Sequence, residues 1–217
     1  MSKVLYGVTL SPFVKKVYTV LKLKNIDFEL NPVSPMEFPD NYEEIHPLKE
    51  IPAFIDEDIV IPDSSVICDY LENKYPDIGV YPRSIKKRAK ALWLEEYSDT
   101  KLCELLAKGF LFEKFVKPNF LNIETDIDHV NDIIENELPP AMDYLEKNIS
   151  GDFIFGDEIT VADISIAAHF LNAEYIGFCI DIDKYPKLSS LLDNVCQTKG
   201  FIDCIELDKA LMKQFQQ

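Results

Sequence analysis

The sequence predicts two consecutive domains: a small α/β domain with the element order βαβαββα, followed by an all-α helical domain. Three observations predict this fold class. Short apolar runs alternate with helical periodicity over the first third of the chain, residues 76–84 combine prolines with a glycine and lack periodicity, and from Ile85 onward apolar residues recur only at helical spacing. The 217 residues are 47% apolar, which is enough to form a substantial core. We expect the domains to span 1–77 and 85–217.

The first domain is predicted from alternating strand and helix signals. A short apolar run precedes Pro12, which suits the first turn of a helix because its missing N–H needs no partner there. Glu57-Asp58 separates two further apolar runs and predicts a tight hairpin. In chain order, we predict strands at 4–6, 27–31, 53–56 and 59–61, and helices from Pro12, over 39–46 and over 63–75. The first strand–helix–strand unit then supplies parallel pairing, and the hairpin an antiparallel edge.

The second domain is predicted to be helical throughout. We expect helices from Ile85 and over 124–149, 160–175 and 187–196, with short ones near the C-terminus. Pro139-Pro140 is expected to kink or interrupt the 124–149 helix. Thr160 stands as the N-cap of the next helix with Asp163 three residues later, so each side chain can accept a backbone N–H of the first turn. We interpret this pair as structural rather than catalytic.

Composition and charge exclude several classes of function. The formal net charge of −16 argues against nucleic acid and anionic membrane surfaces as partners. No apolar run approaches the ~18 residues that cross a bilayer, and no secretion signal is evident, so we expect a cytoplasmic protein with five reduced cysteines. The glycines form neither a GxGxxG motif nor a P-loop. The histidines lack ligand spacing, so we expect neither a metal site nor a Ser–His pair.

Three short motifs stand at predicted junctions between strands and helices. Ser11 precedes Pro12 at the first helix, Ile51-Pro52 precedes the third strand, and Asp63-Ser64 opens the 63–75 helix. Each has an ordinary structural explanation, since Ser and Asp are common N-caps and most prolines are trans. Each also has a functional one. A hydroxyl at one helix start can donate to an anion, and the other helix start can bind the carboxylate and the ammonium of an α-amino acid.

In this order, the three motifs, the 76–84 linker and the segment GDEITVAD at 156–163 together resemble the cytosolic glutathione transferase family over essentially the whole chain. The resemblance implies a thioredoxin-like first domain and an all-α second domain. Serine at position 11 is similar to the serine-type classes, such as tau, delta, zeta and bacterial forms, and unlike members with cysteine there. We therefore do not expect thiol–disulfide exchange through this position.

The resemblance implies that Ser11 hydrogen-bonds the sulfur of glutathione, that the backbone of Ile51 pairs with the cysteinyl part, and that Pro52 is cis. Lowering a thiol pKa by ~2 units takes ~2.7 kcal/mol, and one hydrogen bond to a charged group supplies ~1.5–3 kcal/mol. Ser11 therefore needs to be neither a base nor a nucleophile. The resemblance further implies that glutathione acts as the co-substrate and that its thiolate attacks an electrophilic carbon without a metal.

The same resemblance assigns the charged ends of glutathione to three residues. Asp63 and Ser64 would bind the γ-glutamyl amine and carboxylate, and Lys49 would bind the glycyl carboxylate. A solvated loop lysine is the alternative for Lys49. Asp63 stands where Glu or Gln is more usual in the family, and Glu50 adds a negative charge beside the site.

The second substrate is expected to be a small apolar electrophile. Leu10 and Phe13 near the first strand, and Phe112 and Phe115 in the helical half, are candidates to wall its pocket. Core packing explains any one of these side chains at least as well. The sequence does not choose between them.

We predict a homodimeric glutathione transferase, with Trp93 near the dimer interface. Two alternatives stay open at this point. One is a non-catalytic protein on the same fold, similar to the stringent starvation proteins that bind RNA polymerase. The other is a glutathione-dependent isomerase or dehalogenase.

Overall fold

Four short strands form one mixed sheet in the order β2-β1-β3-β4 in the computed structural model, which describes residues 3–213. The strands are β1 (Val4–Tyr6), β2 (Glu29–Asn31), β3 (Ala53–Asp56) and β4 (Ile59–Ile61). β1 pairs parallel with β2 and antiparallel with β3, so that Leu5 stands opposite both Leu30 and Phe54. β3 and β4 form the predicted hairpin.

Two helices and a short turn complete the α/β part in the predicted order. Helix α1 (Pro12–Leu23) begins at the expected proline, and helix α2 (Ser64–Lys74) follows the hairpin. The predicted irregular helix at 39–46 is a single 3₁₀ turn, Tyr42–Glu44. Four apolar residues of α1 at helical spacing are fully buried: Val14, Val17, Val20 and Leu21. The fold class predicted for this half of the chain is confirmed.

The second half is helical throughout, as predicted. Its α-helices are α3 (Ile85–Tyr97), α4 (Ile127–Asp132), α5 (Leu138–Asn148), α6 (Val161–Glu174) and α7 (Pro186–Cys196). π-type turns continue α3 over Ser98–Leu121 and join α4 to α5 over Ile133–Glu137. Within residues 3–213, no helix combines the length and the apolar character that a membrane crossing requires.

Pro139-Pro140 does not break the helix that contains it. The two prolines lie in the first turn of α5, directly after the π-type turns, and the chain is helical from Ile127 to Asn148. Proline has no N–H to donate within a helix. At this point the helix changes from π-type to α-type hydrogen bonding, so the two missing donors fall where the bonding pattern shifts. The predicted 124–149 helix is thus divided into α4, the π-type turns and α5, without a non-helical gap between them.

The C-terminal segment differs from the predicted domain division. It forms one helix of 14 residues, α8 (Lys199–Met212), rather than short helices. The two compact units of the chain are residues up to Tyr81 together with those from Gln197, and Pro82–Cys196. Helix α8 was predicted to belong to the 85–217 domain, but in the structure it belongs to the unit that contains the residues up to Tyr81. The physical reason is packing: α8 lies directly against α1, where a Cβ at Gly200 would come within 2.9 Å of Thr19 Cα. Asp208 on α8 also forms a fully buried ion pair with Lys15 on α1, at 2.8 Å between Nζ and Oδ2.

Residues 75–80, which follow α2, are hydrogen-bonded to other residues of the first unit. Glu72 accepts the Val80 N–H at 3.0 Å, and Lys24 donates to the carbonyls of Tyr75 at 3.0 Å and Ile78 at 2.6 Å. Lys24 also pairs with Glu72 at 2.7 Å. The predicted linker at 76–84 is therefore partly bound to the first unit.

Candidate functional site

Ser11 ends a tight turn that leads from β1 into α1. The Ser11 N–H donates to the Val8 carbonyl at 3.0 Å, and Ser11 is the N-cap of the helix. Its Oγ accepts the Val14 N–H at 3.4 Å, which is long for a hydrogen bond. The side chain is only half-buried. Because the cap uses Oγ as an acceptor, the hydroxyl proton can still be donated to an anion in front of the helix.

The turn before Ser11 packs against the segment that enters β3. Gly7 has a φ of +136°, and a Cβ at this position would lie 2.5 Å from Val14 Cγ2 and 3.2 Å from Ile51 Cβ. Only glycine therefore allows the close approach of these segments. The Ile51-Pro52 peptide bond is cis, as the family resemblance implies. The structure thus brings Ile51 and the turn that carries Ser11 together.

The loop in front of Ile51 is fixed by a buried tyrosine. Tyr42 donates its Oη to the Glu50 carbonyl at 3.0 Å, and its ring stacks on Phe38 with 5.1 Å between centroids. Burial raises the pKa of Tyr42 to about 12, so the phenol stays protonated and keeps donating. This residue orients the backbone next to Ile51, a supporting role that the sequence did not indicate.

The N-terminus of α2 carries the predicted pair Asp63-Ser64. Asp63 is exposed and caps the helix, because its Oδ1 accepts the Val66 N–H at 2.8 Å. Ser64 is buried. Lys16 of α1 is fully buried and donates its Nζ to Ser65 Oγ at 3.0 Å. This contact joins α1 to the start of α2 and places a cation beside a helix N-terminus, an arrangement that favours an anionic ligand.

Lys49 is exposed and already engaged. Its Nζ lies 3.1 Å from Glu43 Oε2, and its backbone has a φ of +52°. A backbone hydrogen bond at Glu43 itself and the bond from Lys49 hold the pKa of the Glu43 carboxyl below its usual range. A second carboxylate at this place would therefore compete with Glu43 for the ammonium of Lys49.

The candidates for the electrophile pocket belong to different units. Leu10 and Phe13 flank Ser11 in the first unit and are half-buried. In the second unit, Phe112 is 37% exposed, and Phe115 packs edge-on against Phe120 with 5.9 Å between centroids. None of these four side chains is fully buried, so each has surface available to an apolar ligand.

Three polar residues near Ser11 make contacts that the sequence interpretation did not predict: Thr9, Lys15 and Lys16. All three are buried. Thr9 donates its Oγ1 to Asp208 Oδ1 at 2.5 Å. The only signal in the sequence is the pair Lys15-Lys16 inside an otherwise apolar helix, between Val14 and Val17.

Comparisons with known proteins cover most of the chain. Residues 5–79 match the sequence profile of the glutathione S-transferase N-terminal domain, and residues 111–201 match that of the glutathione S-transferase C-terminal domain. A glutathione S-transferase from Triticum aestivum is 32% identical over 203 residues, which cover 91% of this chain and 90% of that protein. A probable maleylacetoacetate isomerase from Caenorhabditis elegans is 27% identical over 215 residues, or 92% of this chain and 91% of that protein.

A solved structure shows the same fold. The glutathione S-transferase from Rhodospirillum rubrum F11 superposes with a TM-score of 0.83 at 24% identity, covering 92% of this chain and 90% of that chain. At this level of identity the likeness concerns the fold alone.

Proposed function

This chain is a glutathione-dependent enzyme of the glutathione S-transferase family, and we propose that it conjugates glutathione to small apolar electrophiles with Ser11 as the catalytic residue. One observation carries the proposal. The Ser11 hydroxyl stands half-buried at the start of α1, in a turn that packs against Ile51, with its proton not needed for the helix cap.

In the proposed reaction the glutathione thiol releases its proton to solvent, and the Ser11 O–H donates to the resulting thiolate. A lone pair of the sulfur attacks the electrophilic carbon and forms the C–S bond. The displaced electron pair departs with the leaving group, or stays on a conjugated acceptor that then takes a proton from water. Ser11 stabilises the anion and forms no covalent bond.

The rest of glutathione is assigned by charge. Asp63 is exposed and takes the γ-glutamyl ammonium, while the first N–H groups of α2, Ser64 and the nearby Lys16 favour the γ-glutamyl carboxylate. The Ile51 backbone pairs with the cysteinyl part. Lys49 takes the glycyl carboxylate after leaving Glu43.

We propose that the electrophile rests on the half-exposed apolar side chains near the thiolate. Leu10 and Phe13 stand on either side of Ser11 in sequence, and both are half-buried. Phe112 and Phe115 lie in the second unit, and their part in binding the electrophile stays a prediction from the sequence. Because these groups are apolar, they would favour a substrate without charge at its reacting end.

A second candidate activity uses the same thiolate. The relative from Caenorhabditis elegans is named a probable maleylacetoacetate isomerase, which favours a glutathione-dependent cis–trans isomerisation. The thiolate would add to one carbon of a double bond, the resulting single bond would rotate, and the thiolate would leave again. Glutathione is then regenerated, whereas conjugation consumes it.

We also propose that the protein forms a homodimer. Apolar side chains are exposed on β4 and α2 of the first unit, with Val60 at 42% and Val66 at 55%, and on α3 of the second unit, with Trp93 at 51%. Exposed apolar residues of this size are typical of association surfaces. Light scattering during gel filtration distinguishes a monomer of 24.9 kDa from a dimer.

The proposed function is tested with one sample and two substrates. The protein should bind immobilised glutathione and elute with free glutathione, and it should consume glutathione in step with a chloronitroarene. Proton NMR with a cis-enone diacid then separates the two activities, because the isomerase converts it to the trans form while glutathione stays constant. A protein that gives no calorimetric signal up to millimolar glutathione would instead fit a non-catalytic role.

A further inference from the structure

One carboxylate of the C-terminal helix contacts residues on both sides of Ser11. Asp208 on α8 is fully buried. Its Oδ1 accepts the hydroxyl of Thr9 at 2.5 Å, and its Oδ2 lies 2.8 Å from the Nζ of Lys15, which is also fully buried. Thr9 and Asp208 are 199 positions apart in sequence.

Packing alone already holds α8 against α1. A Cβ at Gly200 would lie 2.9 Å from Thr19 Cα and 2.8 Å from Lys22 Cβ, so the two helices are in direct contact. A second polar contact, between Lys22 and Asp203 at 3.1 Å, lies on the half-exposed side of the same pair of helices. A buried ion pair often adds little net stability, because removing both charges from water offsets their attraction. The network around Asp208 is therefore poorly explained as a simple attachment of α8.

The network is better explained by what it does to the turn before α1. The Ser11 N–H is bonded to the Val8 carbonyl at 3.0 Å, and Thr9 lies inside this turn. The Ser11 carbonyl accepts the Lys15 N–H at 2.9 Å in the first turn of the helix. Anchoring Thr9 and Lys15 to one carboxylate thus restrains the backbone immediately before and immediately after Ser11.

We propose that Asp208 is a positioning residue of the active site, which holds Thr9 and Lys15 on either side of Ser11 and so sets the place of the Ser11 hydroxyl. This inference rests on the proposed function, in which Ser11 donates to the glutathione thiolate. Asp208 does not touch the substrate. It acts through the turn, so its loss changes the alignment of the hydroxyl with the sulfur rather than the binding of glutathione.

The test uses Thr9→Val, which keeps the shape of the side chain, removes the hydroxyl and leaves the Lys15–Asp208 pair in place. We expect kcat to fall about tenfold, as for a small misplacement of a reacting group. The pKa of the bound thiol should rise, and KM for glutathione should stay within about twofold. Thr9→Ser restores the hydroxyl and should restore both kcat and the thiolate titration.

Asp203→Asn is the matched control, because it breaks a second ion pair between α1 and α8, with Lys22, without contacting the turn that carries Ser11. It should leave the kinetic constants and the thiol pKa unchanged. All variants are assayed well below their own melting temperatures. Thr9→Ala serves as a second variant, because it removes the hydroxyl without putting a methyl group in its place.

The outcomes distinguish a failure of the positioning role of Asp208 from a failure of the proposed function. If Thr9→Val and Thr9→Ala titrate and turn over like Asp203→Asn, or lose activity only in proportion to the unfolded fraction, Asp208 has no positioning role. If Thr9→Ser fails to restore the titration, the hydroxyl is not the group that matters and the assignment is wrong. An inactive wild-type protein defeats the proposed function and this assignment together, whereas an active wild type with an unaffected Thr9→Val defeats this assignment alone.

Discussion

Helices α1 and α6 both begin at a hydroxyl N-cap, and the two starts differ in how completely that cap is bonded. At α6, Thr160 and Asp163 form the predicted capping box, and both residues are buried. The Asp163 carboxylate accepts the Thr160 N–H at 2.7 Å, the Thr160 hydroxyl at 2.6 Å and the Ile154 N–H at 2.8 Å. At α1, Ser11 makes one long bond of 3.4 Å and is half-buried.

The difference separates a folding role from a chemical one. The hydroxyl of Thr160 already donates its proton to Asp163 and is buried, so it cannot donate to a ligand. The hydroxyl of Ser11 is only half-buried at the N-terminus of α1, and its proton is not used by the cap. The same sequence motif, a hydroxyl before a helix, thus serves stability where its bonds are complete, and in the proposed function it serves catalysis where they are not.

The largest effect is expected at α6. Asp163→Ala leaves the buried N–H groups of Ile154 and Thr160 without their acceptor, and each such loss costs about 1–3 kcal/mol. We expect the free energy of unfolding to fall by about 3–5 kcal/mol in urea titrations. Turnover per folded molecule should not change. Thr160→Ala, which keeps the carboxylate, should cost only about 0.5–2 kcal/mol.

A loss of turnover at unchanged stability in either variant would show that this helix start takes part in the chemistry. The comparison between α1 and α6 would then fail, since completeness of bonding would no longer mark a purely structural cap.

The pH dependence of stability sharpens the same comparison. Burial raises the pKa of Asp163 to about 6, although the hydrogen bonds to its carboxylate favour the charged form. Because the pKa is higher in the folded state, this group's contribution is fully present below its unfolded pKa, near 4, and is lost as pH rises through about 6. The loss amounts to about 3 kcal/mol at most.

Asp163→Asn isolates this contribution, because the rest of the acidic chain titrates in the same way in both proteins. The advantage of the wild type over the variant should shrink between pH 4 and pH 6 and then stay constant. Urea titrations across this range measure it. A difference that is flat with pH would mean that Asp163 is ionised throughout.

The sequence predicted the features that depend on neighbours along the chain. Thr160 and Asp163 are three residues apart, and Pro12 acts on the helix that it begins, so their structural consequences are local. The strands, the hairpin and most helix limits were predicted for the same reason, from periodicity and turn residues. Whether the cap at Ser11 is fully bonded was not predictable, because that depends on burial.

The missed contacts of Lys15 and Lys16 join residues that are distant in sequence. Lys15 and Lys16 interrupt an apolar pattern, and a lysine in a helix is usually solvated. Each is buried here because a partner comes from another helix, Asp208 on α8 and Ser65 on α2. No local spacing indicates such a partner, so the return of α8 to the first unit could not be predicted.

A smaller effect in energy, but the decisive one for the mechanism, is expected from Ser11→Ala. Losing the bond to the thiolate should reduce the rate of conjugation by about 10–100-fold at neutral pH, or about 1.4–2.7 kcal/mol. The pKa of the bound thiol should rise, while KM for glutathione changes little. The melting temperature should fall only slightly, because the cap bond that is lost is long. Thiolate absorbance against pH measures the pKa of the bound thiol, and thermal melts measure the melting temperature.

If Ser11→Ala lowers the melting temperature as much as Thr160→Ala and leaves the thiolate titration unchanged, Ser11 is only a cap. Thr9 would not replace it as the thiolate donor, because its hydroxyl is already bonded to Asp208.

The smallest effect is expected where the site meets solvent. Lys49 is paired with Glu43 at 3.1 Å, and both side chains are about half exposed, 54% and 52%. Glutathione must displace Glu43 if its glycyl carboxylate binds Lys49, so Glu43→Gln should lower KM for glutathione by about twofold at low ionic strength. The value of kcat should not change, because the proposed partner of Lys49 is the glycyl end of glutathione, which is far from the sulfur. Glu44→Gln removes the same charge from the next residue and is the control.

The gain in glutathione binding should disappear in high salt, which screens exposed charges, and should be absent in the double variant Glu43→Gln, Lys49→Gln. An equal gain in Glu44→Gln would point to the overall charge of the protein instead, and a gain that survives without Lys49 would remove that lysine from the glutathione site.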